Sequence, residues 1–114
     1  MNSKFNEDYC QEKSRQYVNE GYCIIENLLS QDFLSSIKKY CKEYLENISD
    51  DHRQKQISTG SLIDVCNIPE LAELVAYPKA LEVFSKMGFT DVRFSTGYLI
   101  SKPPQSPPLF WHFD

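Results

Sequence analysis

The spacing of the apolar residues changes once along this chain, and that change limits the possible folds more than any other feature. Between Ser30 and Ile48 apolar residues recur at steps of three and four, which is the period of one helix face. From Asp91 onward they alternate with the residues between them, which is the period of a strand with one more apolar face. Helices that come first and strands that come last indicate the α+β class.

The region of residues 1–90 is expected to be mainly helical. Gly21 fits the left-handed turn that closes a helix, and Ser30 fits the position before a helix, where its hydroxyl accepts from free backbone N–H groups. Pro69 and Pro78 fit the first turns of two short helices, because the first helical position needs no N–H donor. These signals predict helices over residues 7–19, 31–48, 70–76 and 79–87, the last of which stops at Gly88.

The remaining segments are predicted to be strands and loops. Residues 22–26 are an apolar run rich in β-branched and aromatic side chains, which predicts a short strand. The polar and charged residues 49–60 predict a loop. A long strand is expected over residues 91–101 and a second over 109–114, and the prolines of residues 102–108 must leave the sheet because they cannot donate to a ladder.

Charge and hydropathy exclude two classes of partner. The formal net charge is -4 and no basic run is present, so a nucleic acid partner is not expected. No segment approaches the roughly 20 apolar residues that span a bilayer, so no membrane partner is expected either. The polar N-terminus has no apolar core of a signal peptide.

The four cysteines are expected to be reduced and mostly buried thiols. They are widely spaced and form no C-x-x-C pair, whereas a zinc site needs tighter clustering. A disulfide or a metal site stays open as an alternative. Reduced thiols favour the cytoplasm. The cysteines are Cys10, Cys23, Cys41 and Cys66.

His112 and Asp114 are the residues that most directly suggest chemistry. On a strand, residues two apart point to the same face, so an imidazole and a carboxylate would project side by side. Two such donors can take adjacent positions around one metal ion, as in the 2-His-1-carboxylate site of iron(II) oxygenases. The alternative is a strand histidine and an aspartate that both lie at the solvent edge.

The residues around this pair resemble the phytanoyl-CoA dioxygenase family. In that family a strand is followed by a Lys-Pro-Pro or similar turn, a short loop, and an aromatic residue or proline before His-x-Asp. The same order appears here from Tyr98 to Asp114, which reads YLISKPPQSPPLFWHFD. Residues 21–30 resemble the family's opening strand and helix cap, and residues 71–88 resemble its helix pair, so the resemblance covers about residues 18–114.

The resemblance implies a fold, a reaction and a site. The fold would be a cupin-like jelly roll, or double-stranded β-helix, with the N-terminal helices packed on its first strands. The activity would be an Fe(II)- and 2-oxoglutarate-dependent oxygenase that hydroxylates a small organic substrate or an acyl-CoA. His112 and Asp114 would be the first two iron ligands. Tyr98 aligns with a position near the cosubstrate, with plain strand packing as its alternative, and Lys102 is either an anion clamp or a solvent-facing turn residue.

The family's remaining site residues lie further along the chain than Asp114. They are a third ligand, which is a histidine, and an arginine that clamps 2-oxoglutarate. Residues 1–114 are therefore expected to be one partial domain of a longer sequence, with a short product that pairs with the missing part or with another chain as the alternative. His52 is expected to be a solvated loop histidine and not a replacement ligand. A non-catalytic α+β interaction module is the competing functional hypothesis.

Overall fold

The computed structural model describes residues 3–58, 61–108 and 111. They divide into two compact units, which we call unit 1 (Met1–Leu34 and Glu73–Ser95) and unit 2 (Ser35–Ala72 and Thr96–Asp114). The elements, in chain order, are helices α1 (Glu7–Glu20), α2 (Gln31–Glu46) and α3 (Asp50–Ser58), strand β1 (Ser61–Asp64), two 3₁₀ turns (Val65–Asn67 and Pro69–Leu71), helices α4 (Ala72–Val75) and α5 (Pro78–Lys86), and strand β2 (Tyr98–Ser101). Within the described residues, no helix combines the length and the apolar character that crossing a membrane requires.

Helix α1 begins and ends where its capping residues allow. The Asn6 side chain accepts from the Tyr9 N–H at 2.9 Å, which satisfies one of the free donors of the first turn. Gly21 closes the helix with a φ of 82°, and its N–H donates to the Tyr17 carbonyl at 2.8 Å. The predicted helix over residues 7–19 is confirmed. Helix α2 is confirmed too, and the Ser30 hydroxyl accepts from the backbone N–H of Phe33 at 3.2 Å.

Helices α1 and α5 share the core of unit 1. Side chains of α1 also bind the free carbonyls at the C-terminal end of α5: Gln11 donates to the Lys86 carbonyl at 3.0 Å and Ser14 to the Met87 carbonyl at 2.9 Å. Gly88 follows with a φ of 97°, as the predicted end of this helix requires. The buried core residues are Phe5, Cys10, Val83 and Met87.

Unit 2 contains the only sheet among the described residues. Strands β1 and β2 pair antiparallel, with Ser61 opposite Ser101 and Asp64 opposite Tyr98. The strand predicted over residues 91–101 was too long, because only Tyr98–Ser101 finds a partner and β1 offers four residues to pair with. The buried apolar side chains of this unit are Ile37, Ile63, Ile68 and Leu71.

Two other predicted segments differ from the structure. Residues 22–26 form no strand in the described part of the chain, although Cys23 and Ile25 pack against the core of unit 1 while Tyr22 and Ile24 are exposed. The alternation is thus that of a strand, but no described strand lies beside it. The jelly roll stays a prediction.

The polar loop predicted over residues 49–60 was wrong for Asp50–Ser58, which form α3, and residues 59–60 lie outside the described part of the chain. Helix α3 begins where the Ser49 hydroxyl accepts from the His52 N–H at 3.2 Å. Asp50 and Asp51 lie in the first turn, where a negative charge favours the helix dipole. Because α3 has hardly any apolar face, periodicity gave no sign of it. His52 is consequently a helix residue and not a loop residue.

The cysteines are free thiols, as predicted, but most of them are not buried. Cys10 alone is buried, Cys23 and Cys41 are half-buried, and Cys66 is exposed. Burial raises the pKa of the Cys10 thiol, whose sulfur lies 3.8 Å from the Phe5 carbonyl oxygen. Cys10 therefore acts as a small apolar core residue.

Candidate functional site

The predicted iron ligands lie beyond the part of the chain that the structure describes. His112 and Asp114 are both outside it, and so is most of the strand predicted over residues 109–114. Trp111 is described; it belongs to no helix or strand and is fully exposed. The described residues that precede the predicted ligands include strand β2, which pairs with β1, and the loop after β2.

Tyr98 is the first residue of β2 and lies opposite Asp64. Its side chain is 49% exposed, so it is not a core residue of the sheet. The phenol can donate one hydrogen bond and accept others, which suits a residue that contacts a polar small molecule. The structure thus leaves the phenol accessible, as its predicted role beside a cosubstrate would require.

The segment of residues 102–108, which we call the proline loop, is closed by its own hydrogen bonds. The Pro103 carbonyl accepts from the Ser106 N–H at 3.1 Å and from the Ser106 hydroxyl at 2.7 Å. Between them, Gln105 has a φ of 72°. A proline at the second position and a positive φ at the third are features of a type II turn, which normally takes glycine or asparagine there.

Lys102 closes the same loop from outside. Its ammonium donates to the Pro107 carbonyl. Of the two interpretations from the sequence, the exposed turn residue agrees with this geometry, because the ammonium is engaged with the backbone of its own loop. The anion-clamp interpretation would require that bond to open.

Asp64 is a residue near Tyr98 that sequence reasoning missed. Its carboxylate accepts from the Cys66 N–H at 2.9 Å and so caps the first 3₁₀ turn, while the Val65 N–H donates to the Gly97 carbonyl at 3.0 Å. The hydrogen bond with the Asp64 carboxylate raises the pKa of the Cys66 thiol. The apolar residues Leu62 and Ile63 before Asp64 were the available sign of strand β1. A strand of four residues is too short for its alternation to stand out in the sequence.

A complete metal site is not found in the described residues. Nowhere in residues 3–58, 61–108 and 111 do three or more histidine, cysteine, aspartate or glutamate side chains come together in a way that could hold a metal ion. His52 lies beside a groove that is also lined by Glu43, Tyr44 and Asn47. The predicted ligands His112 and Asp114 lie outside the residues for which this holds.

Unit 1 carries a second feature, an open apolar groove of about 460 Å³. No charged side chain lines it. Its volume is within the range of small-molecule sites, and its aromatic walls are typical of surfaces that bind apolar partners. The lining residues include Tyr17, Tyr22, Cys23, Phe84, Met87 and Phe89.

Comparisons with known proteins give no further assignment. No family model matches the chain, no curated protein matches it, and no solved structure matches it. The interpretation of the candidate site therefore depends on its own residues and on the resemblance of the segment from Tyr98 to Asp114.

Proposed function

We propose that this chain supplies the first two iron ligands of an Fe(II)- and 2-oxoglutarate-dependent dioxygenase of the phytanoyl-CoA type. One observation carries the proposal: the sequence Trp-His-Phe-Asp, residues 111–114, follows strand β2 and a closed Lys-Pro-Pro loop. That order of strand, loop and His-x-Asp is more specific for the phytanoyl-CoA dioxygenase family than the tripeptide His-x-Asp alone.

The donor atoms fit the metal. The neutral imidazole of His112 and the carboxylate of Asp114 are two of the three ligands of the facial iron(II) site, which leaves positions open for cosubstrate and oxygen. When bound, iron with 2-oxoglutarate and O₂ supplies the oxidant for hydroxylation of a second substrate, and 2-oxoglutarate is converted to succinate and CO₂.

The described residues have supporting roles in this proposal. Strand β2 holds the chain against β1, and the proline loop carries it from Ser101 toward the ligand pair. The half-exposed phenol of Tyr98 would donate a hydrogen bond to the cosubstrate. We propose a small organic molecule or an acyl-CoA as the second substrate.

The fold and the cellular location belong to the same proposal. Strands β1 and β2 would be part of a jelly roll, whose other strands come from further along the polypeptide or from another chain. The exposed side chains of Tyr22 and Ile24 support this, because exposed apolar side chains favour contact with another part of a fold or with a partner. Four free thiols fit a reducing compartment, and we place the protein in the cytoplasm.

The test is the turnover of 2-oxoglutarate by the protein expressed from its complete reading frame. With Fe(II), ascorbate and O₂ present, we expect release of succinate and CO₂. The CO₂ is measured with 2-oxoglutarate labelled at the carboxylate next to its keto group, which is the one that is released. His112→Ala and Asp114→Asn should reduce this release to the level of the protein-free reaction. The matched control is His52→Ala, because the sequence has two histidines and this one lies in α3.

Thermal melts of each variant check that the protein is folded. The proposal fails if folded His112→Ala releases succinate at the rate of the unsubstituted protein. It also fails if no succinate forms with any candidate substrate and no iron is retained.

A non-catalytic interaction module is the second candidate function. It is favoured by the apolar groove of unit 1, which has the character of a protein or ligand contact surface. It predicts a cooperative melting transition whose midpoint does not change when Fe(II) and 2-oxoglutarate are added. A rise in the midpoint that depends on His112 would contradict it, because a ligand that binds only the native state stabilises that state.

A further inference from the structure

Residues 22–26, which we call the edge segment, have the burial pattern of a strand but no described strand beside them. Tyr22, Ile24 and Glu26 are exposed, whereas Cys23 and Ile25 are partly buried against the core of unit 1. Within the described part of the chain, no hydrogen bond reaches the backbone of residues 22–25. Unpaired backbone donors and acceptors along an apolar strand are a template for pairing with another strand.

The surface beside the edge segment favours an apolar neighbour. Tyr22, Cys23 and Ile25 contribute to the lining of the apolar groove of unit 1, and no charged side chain lines that groove. A neighbouring strand can therefore approach without removing a charge from water, which would be costly. The only charge of the edge segment itself is the Glu26 carboxylate.

The alternation of the edge segment fits a second copy of itself. In an antiparallel pair, residues opposite one another lie on the same face, so exposed residues must meet exposed residues. Only a pairing centred on Ile24 achieves this for all five residues. It places Ile24 opposite Ile24 of the second copy, Tyr22 opposite Glu26, and Cys23 opposite Ile25. Each carboxylate then faces a tyrosine, whereas a parallel in-register pair would put the two carboxylates side by side, which is unfavourable.

The hydrogen bonds of the edge segment indicate which residues would exchange backbone bonds. In an antiparallel pair, opposite residues alternate between pairs that exchange two bonds and pairs that exchange none. The Glu26 carbonyl already accepts from the Lys4 ammonium at 3.1 Å, so Glu26 is expected in a pair that exchanges none. Ile24, two residues earlier, is then in a pair of the same kind, with Cα atoms about 4.5 Å apart. Cys23 and Ile25 exchange the backbone bonds.

We propose that the edge segment pairs antiparallel with the edge segment of a second copy of this chain, in a register centred on Ile24. The interface is a two-stranded ribbon across a two-fold axis, to which both copies contribute the same residues. Five residues from each copy make a small contact, so the dimer is weak, with a Kd of roughly 10–100 µM. The inference goes beyond the proposed function and does not depend on the iron site.

Sedimentation equilibrium of the protein expressed from its complete reading frame measures the association. Loading concentrations that span the expected Kd should give a monomer–dimer equilibrium. Ile24→Asp places two carboxylates on the two-fold axis, and we expect dimerisation to be at least about tenfold weaker. Val18→Asp is the matched control, because Val18 is also β-branched and is 74% exposed on α1. It should leave the Kd within about twofold of the unsubstituted protein. Circular dichroism melts check that both variants are folded.

Cysteine cross-linking tests the register independently of affinity. Two cysteines at position 24 would have Cα atoms about 4.5 Å apart, within the range of a disulfide. At position 22 the two copies would be separated by the rise of four residues, roughly 14 Å, which no disulfide spans. Under mild oxidation we expect Ile24→Cys to form a disulfide between the two substituted positions and Tyr22→Cys to form none. Mass spectrometry of the digested dimer identifies the linked positions and separates them from disulfides of the native thiols.

Each outcome either supports or overturns the inference. A dimer that Ile24→Asp weakens and Val18→Asp does not, with cross-linking at position 24 and not at position 22, supports it. A protein that stays monomeric at every concentration overturns it and would mean that a strand of the same chain covers the edge segment. A dimer that Ile24→Asp leaves unchanged overturns it as well. Equal cross-linking at positions 22 and 24 does the same, because a parallel pair or random collision gives that result.

Discussion

The two units bury their apolar side chains by different means. In unit 1, the capped helix α1 and the proline-started helix α5 enclose Phe5, Cys10, Val83 and Met87, and α1 side chains also bind the last carbonyls of α5. In unit 2, a sheet of two four-residue strands and two 3₁₀ turns accompany four buried side chains, Ile37, Ile63, Ile68 and Leu71. Unit 1 thus depends on helix packing and caps, whereas unit 2 adds strand pairing and turns to the helical residues of α2 and α3.

This difference explains where chemistry can be placed. Helix packing leaves few backbone groups free, whereas the end of a short sheet passes into a loop whose course can vary. The half-exposed Tyr98, the carboxylate of Asp64 and the closed proline loop all belong to unit 2. The residues that resemble a dioxygenase site therefore follow the short sheet and the proline loop of unit 2.

The largest expected effects come from core truncation, and they test whether both units have a true core. Ile68→Ala in unit 2, where the side chain is 2% exposed, should lower the free energy of unfolding by about 3 kcal/mol. Val83→Ala in unit 1, at 0% exposure, should cost about 2 kcal/mol because fewer atoms are removed. The measurement is urea denaturation followed by circular dichroism.

Ile24→Ala is the control for these truncations, since Ile24 is 60% exposed and should cost less than about 0.5 kcal/mol. If Ile68→Ala lowers the free energy of unfolding no more than this control does, unit 2 has no core comparable to that of unit 1. In that case the buried side chains of unit 2 would contribute no stability.

Helix termination in unit 1 should depend on glycine at position 88. Gly88 has a φ of 97°, and an added Cβ would meet nothing within 4 Å, so the cost of Gly88→Ala is that of the backbone conformation alone. We expect a loss of about 1–2 kcal/mol. Gly88→Asn should cost less, because asparagine tolerates positive φ better. Equal losses in the two variants would mean that the positive φ is not the cause.

Unit 2 offers the reverse substitution. Gln105 has a φ of 72°, a conformation that is unfavourable for a residue with a Cβ. Gln105→Gly removes that cost from the folded state. It also increases the entropy of the unfolded chain, which partly offsets the gain, so we expect a net stabilisation of about 0.5 kcal/mol. Gln105→Ala retains the cost and should give no gain. A destabilised Gln105→Gly protein would show that the Gln105 side chain makes a contribution that outweighs the backbone effect.

The smallest expected effect concerns the thiols. The hydrogen bond to Asp64 raises the pKa of the Cys66 thiol, so its thiolate, which is the reactive form, appears at a higher pH than in an ordinary cysteine. Asp64→Asn removes the charge, and the rise of the alkylation rate with pH should shift to lower pH. Iodoacetamide labelling followed by mass spectrometry measures this for each cysteine.

Cys10 in unit 1 is the internal reference for the labelling. Burial raises the pKa of its thiol, so it should label more slowly than Cys66 and should not respond to Asp64→Asn. An unchanged pH dependence at Cys66 in Asp64→Asn would contradict the assigned cause of its raised pKa.

The sequence predicted the helices that have an apolar face and missed the elements whose apolar residues show no clear period. Gly21, Ser30 and Pro78 each marked a helix end that the structure contains. Helix α3 has hardly any apolar face, and its start at Ser49 is visible only through hydrogen bonds. Strand β1 is too short for a period of two to stand out, and the extent of β2 follows from a partner 34 or more residues earlier in the chain.

For the candidate site, the sequence suggested which residues to consider but not the contacts that they make. Its ligand pair stays a prediction, made from the spacing of His112 and Asp114 and from the Lys-Pro-Pro turn before them. The bond from Lys102 to the Pro107 carbonyl and the position of Asp64 opposite Tyr98 could not be read from spacing, because both depend on the course of the folded backbone.

The most direct test of the central claim is the electron paramagnetic resonance spectrum of the iron-nitrosyl complex. The protein from the complete reading frame is loaded with Fe(II) without oxygen and treated with nitric oxide. We predict the axial high-spin signal of a non-haem iron site, its perturbation by 2-oxoglutarate, its loss in His112→Ala and its retention in His52→Ala. A signal that survives His112→Ala, or that is absent from the unsubstituted protein, would contradict the assignment of His112 and Asp114 as iron ligands.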